Sequence, residues 1–439
     1  MGTAAVAWLG TFVSYMVGSG RAYDYDSAET VHVFVRTDSL ADAFTRQIYF
    51  NNHPLFSFLE HVVYSLTGSA SEPVMRVLPV AFSATAVGLL VWWTTRRWGV
   101  LAGACGGAVL ATHPLMTETG RDVRGYSLML LMAVVVGLIA IDPAGPAPRK
   151  RTAFGVATAI GVGTHLYMLM PLSLAVAWMV LTGRWDRAWS RCLSLGGIGG
   201  LACYLAMDSF GRSGRRWRPS FPSDLAWELL GATAVSVAAW ILLALLVLRR
   251  PLPLRARPKA AVVVSAMVVA FLAGPWLVAP TDLFPRFFLW LVPLLAAWAA
   301  WAVAQQGRRA FVVGAAVVAT VAAQVPDWND DLFPNRDLGA AAAGLGASCG
   351  VDHRIGGYAF YDPDVRRIRL DDDGPAALDA CDVLVFLVPT LAVDLIGEVQ
   401  PAFPVRCEVA SDRIDGALLL PADSTCPPGT VRRDPPASG

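Results

Sequence analysis

Apolar stretches of roughly 17–25 residues recur along the first 326 residues of this chain, and no other feature of it restricts the fold so strongly. They fall near 3–19, 76–95, 99–116, 125–142, 152–167, 168–183, 190–207, 224–248, 260–279, 287–305 and 310–326. Windows of that length and polarity are expected to become helices that cross a bilayer. The expected fold is therefore a polytopic α-helical membrane protein of about eleven transmembrane helices, spanning 1–326. Residues 327–439 are expected to form a small, soluble C-terminal α/β domain. The first span lacks a basic leading region and a small-residue cleavage site, so it reads as an anchor and not a secretory signal.

Composition supports that division. The chain is 55% hydrophobic, 16% charged and has a mean hydropathy of +0.50, which excludes an ordinary soluble globule. A net charge of +1 argues against a nucleic-acid partner. The tail from 327 onward holds 19 of the 34 acids but only 9 of the 35 basic residues, so it is acidic while the body is apolar and basic.

Lysine and arginine placement sets the expected orientation. With the N-terminus inside, the inner loops carry 15 basic residues (Arg96-Arg97, Arg149 to Arg151, Arg184/Arg187/Arg191, Arg249 to Lys259, Arg308-Arg309), against 11 on the outer side. An odd number of spans then places the tail outside. The outer run Gly211 to Arg218 departs from the bias: either the Gly-rich span near 190–207 is misread, or the loop is solvated or faces headgroups, or its four arginines, Arg215 and Arg216 among them, meet a phosphate or an acidic glycan. Cys105, Cys192 and Cys203 fall in apolar spans. Cys349, Cys381, Cys407 and Cys426 all lie in the tail and suggest two disulfides, with three pairings open. Within the tail, a helix is expected near Leu338–Gly346 and strands near Ile355–Tyr361, Cys381–Val388, Val405–Val409 and Ala417–Leu420.

The polar residues inside this apolar chain gather at one membrane face. Tyr23-Asp24-Tyr25-Asp26 follows the first span in an outer loop over 20–75, which also holds Glu29 and His53-Pro54. Arg76 opens the second span. His113-Pro114 and Glu118 close the third, and Arg121, Asp122, Arg124 and Tyr126 lead into the fourth. Thr164-His165-Leu166-Tyr167 ends the fifth, and Arg286-Phe287 opens the tenth. Ionisable groups are costly at membrane depth unless paired or used, so their convergence suggests a polar cavity on that face.

In order and spacing over roughly residues 20–300, these motifs resemble the GT-C superfamily of lipid-linked sugar transferases. The branch is that of protein O-mannosyltransferases and lipid A aminoarabinose transferases. The matches are Asp26, His53-Pro54-Leu55-Phe56, Arg76 with Pro79, Asp122-x-Arg124-x-Tyr126-Ser127-Leu128, and Arg286-Phe287. Where the family carries a second acid this chain has Ser27, with Glu29 two residues later; alternatively Asp24 and Asp26 alternate along an extended segment and point the same way. Leu55 replaces the second proline of the His-Pro-Pro pattern.

The resemblance implies an inverting transfer of a sugar, hexose or pentose, from a polyprenyl-phosphate donor to a hydroxyl on a cell-envelope glycan, lipid or protein. Mannosyl and arabinosyl transfer are the examples it brings, and Ala- and Arg-rich usage points to a bacterial source. Asp26 is then the general base, with Asp24 or Glu29 positioning it. Arg124, Arg76 and Arg286, with Arg215 and Arg216, face the developing phosphate charge. His53, Asp122, Tyr126, His165 and Tyr167 hold phosphate or sugar, and Trp217 and Trp276 are candidates for stacking on a ring. No metal-ligand set stands out, although acids near Asp26 would suit a divalent cation such as Mg or Mn. Two other classes stay open: a transporter or lipid flippase, disfavoured by the lack of an internal repeat, and a non-catalytic envelope scaffold.

Overall fold

The structure is a computed structural model. It describes residues 1–45, 53–142, 147–205 and 285–306, then 335–342, 345–346, 348–350, 361, 365–367, 381–388, 403–409 and 415–433, with isolated helical positions at 263, 265–268, 309, 312, 314–315 and 318–319. The span expected near 224–248, those near 260–279 and 310–326 apart from these isolated positions, the Arg212–Arg218 run, Trp276 and most of the strand expected at 355–361 lie outside the described residues.

The chain divides into two compact units. The first comprises Met1–Val17, Ser39–Val63 and Met75–Asp327; the second comprises Gly18–Asp38, Tyr64–Val74 and Trp328–Gly439. Residues 18–38 and 64–74 thus cluster with the C-terminal segment.

The first unit is helical. Its described helices are α1 (Gly2–Met16), α3 (Leu40–Thr45), α4 (Pro54–Thr67, whose residues from Tyr64 on fall in the second unit), α6 (Val77–Trp98), α7 (Val100–Thr112), α8 (Pro114–Thr119), α9 (Tyr126–Ile141), α10 (Pro148–Thr164), α11 (Leu169–Leu181), α12 (Arg187–Leu205) and α13 (Val292–Ala304). The last is entered through a 3₁₀ turn at Pro285–Leu291. The long α6 is the hub, with α1, α7 and α9 packed on it, α13 on α7, and α10 between α9 and α12. Among the described residues, Glu72–Trp98 is the one helix long and apolar enough to cross a membrane by length and composition. Val100–Thr112, Tyr126–Ile141, Leu166–Leu181 and Phe288–Ala304 are apolar but shorter than the windows expected from sequence.

Small residues and buried polar groups explain how these helices associate where apolar burial alone gives no drive. A Cβ at Gly196 would come within 2.3 Å of the Gly155 carbonyl oxygen, and one at Gly200 within 2.7 Å of the Val162 Cβ, so α10 and α12 touch backbone to backbone. Trp8 Nε1 donates to Thr85 Oγ1 at 3.1 Å, and the Tyr15 hydroxyl donates to the Ala111 carbonyl at 2.6 Å. At other helix ends, basic residues act as caps. Arg184 donates to the carbonyls of Ala140 and Ile139 at the end of α9, where the helix dipole favours a cation. Lys150 pairs with Asp142 at 2.7 Å, and Arg151 pairs with Asp186.

α4 is inverted relative to a soluble surface helix. Its polar stripe, Ser57, Glu60 and His61, is buried, while Leu55, Phe58, Leu59, Val62 and Val63 are only partly covered. Beside it, Leu40, Ala41, Phe44, Thr45, Leu55 and Phe58 line a groove of about 470 Å³.

The second unit contains α2 (Tyr25–Glu29), a π-helical turn at Thr30–Val35, α5 (Glu72–Met75, whose last residue falls in the first unit), α14 (Asn335–Ala342) and a mixed sheet. The strands are β1 (Ser348–Gly350), β2 (Arg366–Arg367), β3 (Val383–Val388), β4 (Val405–Val409), β5 (Asp415–Leu420) and β6 (Val431–Arg433), ordered β2-β1-β3-β5-β4-β6. β2, β1 and β3 run parallel, and β3, β5, β4 and β6 pair antiparallel. Alternation along β4 turns Val405, Cys407 and Val409 inward, against Leu338, Val383, Val385, Leu418 and Leu420. Disulfides join Cys349 to Cys381 and Cys407 to Cys426, resolving the pairing.

Candidate functional site

In the first unit, four separated pieces of chain converge on Tyr126. Its ring lies 5.3 Å from that of His53 and 5.3 Å from that of His165, and the two histidine rings are 4.8 Å apart. Tyr167 packs on His165 at 5.0 Å. Two guanidinium groups sit over Tyr126, Arg124 at 5.9 Å and Arg286 at 5.7 Å from the ring centroid. His53, Arg124, Tyr126 and His165 are buried, with Arg124 only 2% exposed, and Arg286 is half-buried.

Local backbone rules put these side chains there. Pro54 starts α4, which fixes His53 as the residue immediately before the helix. Gly125, just ahead of α9, is pressed against this point: a Cβ on it would lie 2.6 Å from Thr164 Cγ2 and 3.0 Å from His53 Cβ. His165 ends α10 in extended conformation and begins the 3₁₀ turn Leu166–Met168.

The histidines take complementary roles. His53 Nδ1 lies 3.3 Å from the Thr164 carbonyl, which only accepts, so Nδ1 carries the proton and Nε2 is an acceptor. Burial, reinforced by the positive charge of Arg124, pushes the His53 imidazole well below the ordinary histidine range. It is therefore neutral at physiological pH, and its Nε2 is buried without a hydrogen-bond partner among the described residues. His165 Nδ1 accepts from the Tyr167 N–H at 3.1 Å, which leaves its Nε2 as the donor. Two arginines, one imidazole acceptor and one imidazole donor thus surround one tyrosine in a poorly hydrated place. Such a set can hold a phosphate and orient a hydroxyl beside it.

Arg76 is buried immediately before α6, and Asp122 is buried two residues ahead of Arg124, whose N–H donates to the Asp122 carbonyl at 2.7 Å. Arg121, read from sequence only as part of the polar face, is buried with Nε donating to the Thr117 carbonyl at 2.8 Å. Glu60 was missed. It is 0% exposed, and neither carboxylate oxygen has a hydrogen-bond partner among the described residues. Burial raises its pKa well above the usual carboxylate range, so it is held as the neutral acid.

The acids fall in the second unit and differ from the extended pair considered from sequence. Residues 25–29 are helical because Asp24 caps them, its carboxylate accepting from the Ser27 N–H at 3.0 Å. Asp24 and Asp26 therefore do not alternate along a strand. Asp24 is spent on the cap, Asp26 sits half-exposed in the first turn, and Glu29 is buried. Among the described residues no three His, Cys, Asp or Glu side chains gather as a metal site. Arg215 and Arg216 lie outside the described residues.

The helical unit and its polar end belong to a known architecture: the chain shares its fold with solved GT-C membrane proteins. It is similar to ArnT from Cupriavidus metallidurans in the apo state, at 14% identity over 94% of this chain and 98% of that one, with a TM-score of 0.63. Against the same protein bound to undecaprenyl phosphate the identity is 15%, with the same coverage of both chains and a TM-score of 0.61. No protein-family model matches the sequence, and no curated protein does.

Proposed function

We propose that the chain is a membrane glycosyltransferase that moves a sugar from a polyprenyl-phosphate donor to a hydroxyl acceptor at the extracytoplasmic face, with inversion. One observation carries the reading. Arg124 and Arg286 both sit over the Tyr126 ring, 5.9 and 5.7 Å from its centroid, in a buried setting beside two histidines of opposite hydrogen-bonding role. Two forked cations in such a place suit a departing phosphate better than an ordinary helix anchor. ArnT, similar in fold, has been captured with undecaprenyl phosphate, which supports a lipid phosphate as the ligand class. The two tail disulfides and the Lys/Arg bias support an outside location for the C-terminal domain.

In the proposed reaction the bond between the anomeric carbon and the phosphate oxygen breaks as the acceptor oxygen attacks from the opposite side. The electron pair leaves with the lipid phosphate, whose charge Arg124 and Arg286 stabilise. The acceptor proton passes to Asp26 as general base. His53 Nε2 accepts from a sugar hydroxyl, and His165 Nε2–H donates to a phosphate oxygen. Asp24 holds the start of the helix that carries Asp26. No step is assigned to a divalent cation. Hexosyl and pentosyl donors, and glycan, lipid or protein acceptors, all fit this scheme.

Asp26→Asn changes proton affinity with little change in volume. It is expected to lower transfer by purified protein at least about 100-fold, the low end of general-base effects, while donor binding persists. Near-wild-type turnover with a lipid-linked donor would remove Asp26 as the base.

A further inference from the structure

One hydroxyl of the C-terminal segment holds the acidic helix from outside the helix itself. Tyr361 accepts the backbone N–H of Tyr23 at 2.8 Å and donates its own proton to Glu72 Oε1 at 2.9 Å. Tyr23 is completely buried, and its hydroxyl donates to the Ala70 carbonyl at 3.0 Å. Asp24, the next residue, caps α2, and Asp26 follows within its first turn. Three segments distant in sequence (Tyr23 before α2, Glu72 in α5, Tyr361 in the tail) therefore meet at one phenolic oxygen, all within the second unit. The seat beneath Tyr361 is cut to fit: a Cβ at Gly339 of α14 would lie 2.8 Å from the Tyr361 Cβ, so only glycine leaves room for it.

A phenol does both jobs from one atom at the end of a long stem. Its oxygen accepts an amide proton while its hydrogen goes to a carboxylate, and the aromatic stem reaches the site rigidly. Phenylalanine keeps the stem and loses both bonds.

We infer that Tyr361 is a positioning residue for the acidic helix, through which the C-terminal domain sets the place of Asp26. The inference rests on the reading of Asp26 as the base. It ties the tail to the acidic helix, and it accounts for the clustering of 18–38 and 64–74 with the tail.

The test uses full-length protein in detergent with a lipid-linked donor. Tyr361→Phe is expected to lower kcat about tenfold or more, as loss of a hydrogen bond to a charged group does, with the donor KM unchanged. Amide hydrogen exchange over residues 19–29 should rise in the same variant while exchange in α6 and α9 stays at the wild-type level. Glu72→Gln, which keeps an acceptor for the phenol, should retain most of the activity. Glu72→Leu should copy Tyr361→Phe, and the two together should be no worse than either alone. Should Tyr361→Phe fail to fold, the Glu72 pair carries the same comparison. Wild-type kcat in Tyr361→Phe or Glu72→Leu, or reduced kcat without faster exchange over 19–29, would overturn the inference. An inactive Asp26→Asn beside a fully active Tyr361→Phe would overturn it and leave the proposed base standing. An active Asp26→Asn would remove both.

Discussion

Glu60 shows how far a single residue can be read from sequence. Ser57, Glu60 and His61 recur at helical spacing, which in a soluble helix marks the solvent side. Here that stripe is buried, because the apolar side of α4 is the one left uncovered. Sequence alone offers no way to choose between the two faces of an amphipathic helix near a membrane. The consequence is measurable. As pH rises past about 4.3 the unfolded chain releases this proton while the folded one keeps it, so stability falls by up to about 1.4 kcal/mol per pH unit until the folded pKa is passed. Glu60→Gln should therefore stabilise the protein by an amount that grows from pH 4.5 to pH 8 in thermal unfolding. A difference constant across that range would contradict the neutral-acid assignment. By contrast, His53, Arg124, Tyr126 and Arg286 stand out in the sequence as candidates, because each polar or aromatic group sits beside a Pro or Gly.

At the scale of elements, hydropathy located most helices within a few residues: 125–142 against Tyr126–Ile141 and 190–207 against Arg187–Leu205. What it could not show was why a Gly-rich stretch such as Leu195–Leu201 holds together. The reason is the backbone contact of α12 with α10 through Gly155, Gly196 and Gly200. Nor could cysteine spacing choose among three pairings, since that depends on β1 lying beside β3. The junction of α9, α10 and the His53 turn depends similarly on Gly125. Gly125→Ala forces the new methyl group into Thr164 and His53, and it should cost about 1–3 kcal/mol as an overpacked site. Thermal unfolding and binding of a polyprenyl-phosphate analogue should both weaken. An alanine variant indistinguishable in both would show that the junction yields freely.

For the whole molecule, order and composition carried the fold class, since an apolar body with polar residues at alternate helix ends has few solutions. The two-unit division was hidden, because a loop grouped with a segment more than 250 residues away is fixed by contacts such as Tyr23 to Tyr361 and not by local pattern. The central claim is that Arg124 and Arg286 together grip the phosphate of a lipid donor. Its most direct test is the affinity of a polyprenyl-phosphate analogue for wild type, Arg124→Lys and Arg286→Lys. Lysine keeps the charge and loses the planar fork, so each variant should bind weaker by on the order of 1.5–3 kcal/mol, roughly 10- to 150-fold. Equal affinity in all three would contradict the account, since arginines that merely anchor helices in headgroups tolerate the exchange.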